Sequence, residues 1–162
     1  MAADSGHGSV IRLLLSNGAD ANMADRDGVT PLARAAAANH KLAVAELLAA
    51  KVDIDPRTAV SGNTPLMLAS QRGAADAVRL LLKFNAQPNL KNAAGNTALH
   101  LAVRAQHADI AAMLMQAGAD PTLANNKRVS PLELARMAHD ETLVAALERA
   151  SRGQSSITGW FR

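Results

Sequence analysis

A chain of 162 residues that is 49% hydrophobic but only 2% aromatic draws its apolar content from alanine and aliphatic side chains. Small side chains let helices approach closely but each buries little area, at roughly 25 cal/mol per Å², so a conventional core of large residues is excluded and stability must come from many modest contacts. The lack of cysteine rules out disulfides and thiolate metal sites, and a net charge of +3 without stacking aromatics argues against a nucleic-acid partner.

The chain opens in the middle of a pattern. Residues Ala2 to His7 align with Ala102 to His107, which read as the end of a first helix. Val10 to Leu15 then form a second helix, closed by Gly18-Ala19-Asp20, where glycine supplies a left-handed cap. Residues 1–24 are therefore expected to be a partial repeat, in a fragment that lacks at least half a repeat upstream; a natural start with a short frayed helix is the alternative.

The first complete unit spans residues 25–58. Asp25-Arg26-Asp27-Gly28 is a turn, Thr30 caps a helix and Pro31 stands at its first position, where a missing N–H costs nothing. Asn39-His40 turns the chain into a second helix carrying Leu42, Val44, Leu47 and Leu48. Lys51 replaces the closing glycine, which predicts a poorer cap. The next unit, 59–91, repeats this with Thr64-Pro65-Leu66, Gly73 and Val78 to Leu82. Asn85 takes the glycine position there, and asparagine tolerates left-handed geometry. Residues 92–124 hold the fullest copy, with Gly95, Thr97, His100, His107 and Gly118. Residues 125–150 are the last unit, with Arg128 in place of the turn glycine and Glu133 in place of an inward residue, as suits a terminal repeat facing water.

Thr30, Thr64, Thr97 and Ser130 are separated by 34, 33 and 33 residues. One residue added between Asp55 and Gly62 accounts for the longer interval. Self-similarity at a fixed period of this size marks a stacked-repeat protein. The periodicity ends after Ala150, and Ser151 to Ser156 read as linker. A polar tail over 151–162 then carries Trp160 and Phe161, expected either to fold back or to dock on a partner.

These residues resemble the ankyrin repeat. The resemblance rests on Gly28-x-Thr30-Pro31-Leu32, Gly62-x-Thr64-Pro65-Leu66, Gly95-x-Thr97-x-Leu99-His100, Gly6-His7 before Val10-Ile11, and Gly118-Ala119-Asp120. It implies a single all-α solenoid over residues 1–150, built of stacked helix-turn-helix units with short β-hairpin fingers. The histidine of the family's Thr-Pro-Leu-His motif survives only as His100, with Ala33, Met67 and Glu133 elsewhere, so lower local stability is expected in those repeats. His7, His40 and His107 recur at the helix–helix turn, and the family uses histidine there for hydrogen bonds to the neighbouring loop.

The chemistry that might suggest an enzyme does not assemble. The recurring histidines lie about one repeat, ~10 Å, apart, too far to share a metal at ~2.0–2.1 Å per ligand. His139 falls on the same turn and is expected to be exposed. Asp25-x-Asp27-Gly28 lacks the rest of a calcium loop, and neither a phosphate-binding glycine loop nor a nucleophile elbow is present. No cofactor or metal is expected.

In the family the finger tips and exposed first-helix positions form the concave face that takes partners. Carried over, the resemblance implies a protein-binding face of Arg26, Asn63, Gln71, Arg72, Asn96, Arg104, Lys127 and Met137. Arg72 and Arg104 are expected on one face, one repeat apart, receiving an acidic or polar protein segment, with Asn63, Asn96 and Lys127 at the rim. Arginine suits this role because it forks onto carboxylates. The expected function is non-catalytic protein binding by a monomer. The alternative is a regulatory or docking domain acting on another part of its own longer chain. No apolar run reaches the ~18 residues of a membrane span, and the first residues do not lead into a signal pattern, so a cytoplasmic location is favoured.

Overall fold

The computed structural model describes residues 3 and 5–158. Among them nine helices follow in chain order: α1 Gly8–Ser16, α2 Pro31–Ala37, α3 Lys41–Ala49, α4 Pro65–Arg72, α5 Ala75–Lys83, α6 Ala98–Arg104, α7 Ala108–Gln116, α8 Pro131–Met137 and α9 Glu141–Thr158. They stack in two rows. The inner row is α2, α4, α6 and α8, the outer row is α1, α3, α5, α7 and α9, and each helix packs on its neighbours along its row.

The inner helices begin where the sequence places their caps. Thr30, Thr64, Thr97 and Ser130 each accept a backbone N–H from the third residue of the helix, at 3.2–3.5 Å. This satisfies one of the amides that a helix start leaves unpaired. The third residue returns the bond in three repeats. His100 Nδ1, Met67 Sδ and Glu133 Oε2 accept the cap N–H at 3.1, 3.5 and 2.6 Å respectively. The reciprocal cap thus outlives the loss of histidine in two of the three repeats that lack it.

The core lies between the rows and matches the composition. Leu32, Leu66 and Leu99 on the inner helices meet Leu47, Leu81, Leu114 and Leu147 on the outer ones, all at most 2% exposed. Alanines such as Ala35, Ala69, Ala102 and Ala135 are fully buried where backbones come close. Left-handed residues end the outer helices or the turns after them: Gly18, Lys51, Asn85 and Gly118 at φ 82°, 56°, 68° and 88°. Lys51 is the costly one, since a side chain there carries roughly 1–2 kcal/mol of steric penalty.

The expected β-hairpin fingers are not formed: the described residues contain no strand. The reason is local. In the first finger Asp25 N–H donates to Val29 O at 3.1 Å, but the return donor, Val29 N–H, goes to the Asp25 carboxylate at 2.9 Å. Asn92 captures Asn96 N–H and Asn125 captures Val129 N–H in the same way, at 2.9 and 3.1 Å. One ladder bond per turn remains, so each finger is a side-chain-locked turn. Adjacent fingers are joined by Ala59 N–H to Asp27 O, Ala93 N–H to Ser61 O and Asn126 N–H to Ala94 O, at 2.9–3.1 Å.

The stretch read as linker, Ser151 to Ser156, is instead the continuation of α9. It contains no proline, and serine, glutamine and glycine each cost a helix at most about 1 kcal/mol. Trp160 and Phe161 lie outside the described residues.

Candidate functional interface

The candidate face is built by the last turns of the inner helices and the fingers beside them. A groove of about 350 Å³ runs between α2 and α4. Its floor is Ala33, Ala37, Ala38 and Leu68, with Val29 at the finger end and Arg34 and Arg72 along its edge. The alanines of α2 make the floor smooth because nothing larger than a methyl rises from it. Leu68 was missed in the sequence reading, although Leu101 and Leu134 repeat at its position and mark it as part of the helix face.

The arginines of the inner helices differ in what they touch. Arg34 is held by the Asp25 carboxylate, and Arg136 donates to Glu148 at 2.8 Å. The Asp25 carboxyl is lowered by its bond from Val29 N–H and by Arg34, so this pair is fixed into the finger. Arg72 and Arg104 are exposed and have no ion pair or side-chain hydrogen bond among the described residues. Both stand at the C-terminal end of a helix, where a cation is favoured by the unpaired carbonyls.

The two arginines are not in strict register. Arg104 aligns with Ala37, Gln71 and Met137, whereas Arg72 aligns with Ala38, Ala105 and Ala138. They occupy neighbouring positions of successive helices, and Gln71 is the residue that stands level with Arg104. Gln71, Arg26 and Lys127 are exposed, and Met137 is 70% exposed at the end of α8.

Asn63 and Asn96 bond between neighbouring fingers. Asn63 Oδ1 accepts from Asn92 Nδ2 at 2.8 Å, and Asn96 Oδ1 accepts from Asn125 Nδ2 at 2.9 Å. Asn96 is 7% exposed. Each amide oxygen is thus engaged between neighbouring fingers, Asn96 buried and Asn63 half-buried.

His100 is likewise structural. It is 1% exposed, its Nδ1 takes the Thr97 N–H, and its Nε2 lies 3.0 Å from the Val129 carbonyl of the next finger. The rings of His40 and His107 lie against Gly6 and Gly73 of the preceding repeats, and His139 is exposed. Among the described residues no group of three or more acidic or histidine side chains could hold a metal ion, and no helix is long and apolar enough to cross a membrane.

Comparison with known proteins follows the same lines. The family described as "Ankyrin repeats (3 copies)" matches residues 1–92 and 37–125. The chain is 36% identical over 81 residues to the E3 ubiquitin-protein ligase XBAT33 of Arabidopsis thaliana, a match covering 50% of this chain and 16% of that protein. It is 32% identical over 87 residues to the tyrosine-protein kinase HTK16 of Hydra vulgaris, covering 53% and 12%. It is also 37% identical over 81 residues to the probable E3 ubiquitin-protein ligase XBOS33 of Oryza sativa subsp. japonica, covering 50% and 16%. The matched half of the chain thus corresponds to less than a fifth of each of these relatives.

Proposed function

Because the chain belongs to the ankyrin-repeat family, we propose that it is a binding module whose inner-helix face receives an acidic or polar segment of a partner protein. Ankyrin repeats generally mediate protein–protein interaction and are typically non-catalytic. The observation that carries the finer reading is the pair of unengaged arginines. Arg34 and Arg136 on the same row are spoken for by Asp25 and Glu148, while Arg72 and Arg104 remain exposed between them. A carboxylate arriving at either would form a forked, charge-assisted bond. Gln71 and Lys127 extend the polar contact, and the alanine floor beside Arg72 takes a small apolar side chain. A preformed rigid groove also limits the ordering cost of association.

The test is to select peptide ligands from a displayed random library and compare their affinity for the wild type and for Arg72→Glu/Arg104→Glu. Loss of two charge-assisted contacts is expected to weaken binding well over tenfold, more than about 1.4 kcal/mol. Selected ligands without acidic residues, or an affinity indifferent to the double reversal, would remove this face from consideration.

A further inference from the structure

Arg104 has counterparts one full period away on either side. Gln71 lies 33 residues before it and Met137 33 residues after it, so the three stand level near the C-terminal ends of α4, α6 and α8. All three are exposed, and α6 packs directly on both neighbouring helices of its row. Arg72, the residue after Gln71, is exposed as well. Helix by helix, the row therefore presents an amide beside a guanidinium, then a second guanidinium, then a thioether. Neither α4 nor α6, nor the turns before them at 58–63 and 91–96, contains an acidic residue, so no carboxylate on these elements competes for Arg72 or Arg104.

The spacing of this row selects the backbone of a ligand that reads it. Packed helices lie about 8–10 Å apart. A polyproline II segment has three residues per turn and rises about 3.1 Å per residue, so its positions i, i+3 and i+6 share one face at intervals of about 9.3 Å. That interval matches the row. A β-strand returns to one face after about 6.7 or 13 Å, for residues two or four apart, and an α-helix after about 10.5 Å, for residues seven apart. Neither falls within the spacing of the helices. A strand would also need an edge to extend, and the described residues contain no strand. A polyproline II segment makes no such demand, because its backbone polar groups stay in water.

We propose that the occupant of this face is a polyproline II segment of a partner protein, carrying two acidic residues three positions apart and an apolar residue three positions further on. The proposal rests on reading this face as the partner-binding surface. The first carboxylate lies between Gln71 and Arg72, and the second forks onto Arg104. The apolar side chain covers Met137, which is 70% exposed and whose flexible thioether adapts to varied shapes.

The probes are fluorescein-labelled peptides carrying glutamate, glutamate and leucine in a background of proline and alanine. They are made in both chain directions, with the three residues spaced by two, three or four positions, and titrated by fluorescence anisotropy. The three-spaced peptide, in one direction, is expected to bind saturably and at least about fivefold tighter than the others, the effect of one misplaced forked contact. Replacing its prolines by glycine keeps the spacing, removes the polyproline II bias and should weaken binding severalfold. Met137→Ala should weaken the leucine peptide and leave a version with alanine in place of leucine unchanged. Equal affinity at all three spacings, lost in Arg72→Glu/Arg104→Glu, overturns the proposal while the acidic-segment reading stands. A spacing preference indifferent to that double reversal, no loss on replacing proline by glycine, or no saturable binding of the three-spaced peptide also overturns it. In the last case the library selection decides the underlying reading separately.

Discussion

Replacing His100 with alanine should remove about 3 kcal/mol of stability, and the figure can be built from the ring's contacts. With Nδ1 accepting the Thr97 N–H at 3.1 Å, the proton of the neutral ring sits on Nε2 and is donated to Val129 O at 3.0 Å. Alanine would strand one buried donor and one largely buried acceptor, at about 1–1.5 kcal/mol each. Loss of the ring's buried area adds roughly another 1 kcal/mol. Methionine is the informative contrast, because Met67 already fills this position in the second repeat and accepts the cap N–H of Thr64. His100→Met should forfeit mainly the bond to Val129, about 1–1.5 kcal/mol. Urea unfolding followed by circular dichroism gives both values. Hydrogen exchange should show the loss concentrated in the finger from Asn125 to Val129. An alanine variant within 0.5 kcal/mol of wild type, or equal effects of alanine and methionine, would refute the idea that the ring bridges two repeats.

Three further outcomes follow from other contacts. Burial pushes His100 below its ordinary value of 6.5, against the Val129 bond and with Lys91 and Arg104 adding to the depression. The fold favours the neutral ring, so its contribution is complete above pH 6.5 and fades as pH falls through the lowered value. The stability gap between wild type and His100→Met should therefore narrow from pH 7 to pH 5, and a constant gap would contradict this. Asp55 is raised chiefly by burial, with Asp53 adding, and its Oδ1 is buried without a partner while Oδ2 accepts from Gln87 N–H at 3.1 Å. At the matching position Asn89 uses both ends, accepting from Asp120 N–H at 2.8 Å and donating to Gly118 O at 3.0 Å. Asp55→Asn should raise stability by about 1 kcal/mol at neutral pH. That gain should shrink toward pH 3.8, where the acid form fits the site; a loss at pH 7 in thermal melts would count against it. Finally, Gly95 has φ 76°, and a Cβ there would lie 2.6 Å from Asn126 N, whereas one at Gly118 meets nothing within 4 Å. Gly118→Ala should cost about 1–2 kcal/mol for its left-handed backbone, and Gly95→Ala clearly more, measured by urea midpoints.

Much of the fold was legible because the repeat displays the same turn chemistry several times. A threonine or serine before Pro-Leu or Ala-Leu marks a helix start wherever it recurs, and all four caps lie where the spacing predicts. The fingers were misjudged because the hairpin came with the resemblance, while the residues that prevent it, Asp25, Asn92 and Asn125, are visible in the chain. The burial of Asn96 was not legible because an amide's polarity does not reveal which way it bonds. Arg72 and Arg104 are 32 positions apart in a period of 33, and that single residue places them at neighbouring positions of successive inner helices. What no local pattern gave was the pairing of Arg34 with Asp25 and of Arg136 with Glu148, 9 and 12 residues apart, which the folding of each repeat brings together.

The row of bonds between fingers has a consequence for how such an array can grow. Each of the two middle fingers donates one backbone N–H to the finger before it, from Ala59 or Ala93, and offers one carbonyl, of Ser61 or Ala94, to the finger after it. Donor and acceptor belong to the same turn. A tandem duplication of one unit would therefore arrive with both halves of the joint, satisfying the neighbours it separates. The extra residue between Asp55 and Gly62 shows the tolerance already in use, for Ala59 keeps its bond to Asp27 O at 2.9 Å. Length in this architecture is heritable in whole units, without matching changes elsewhere in the gene.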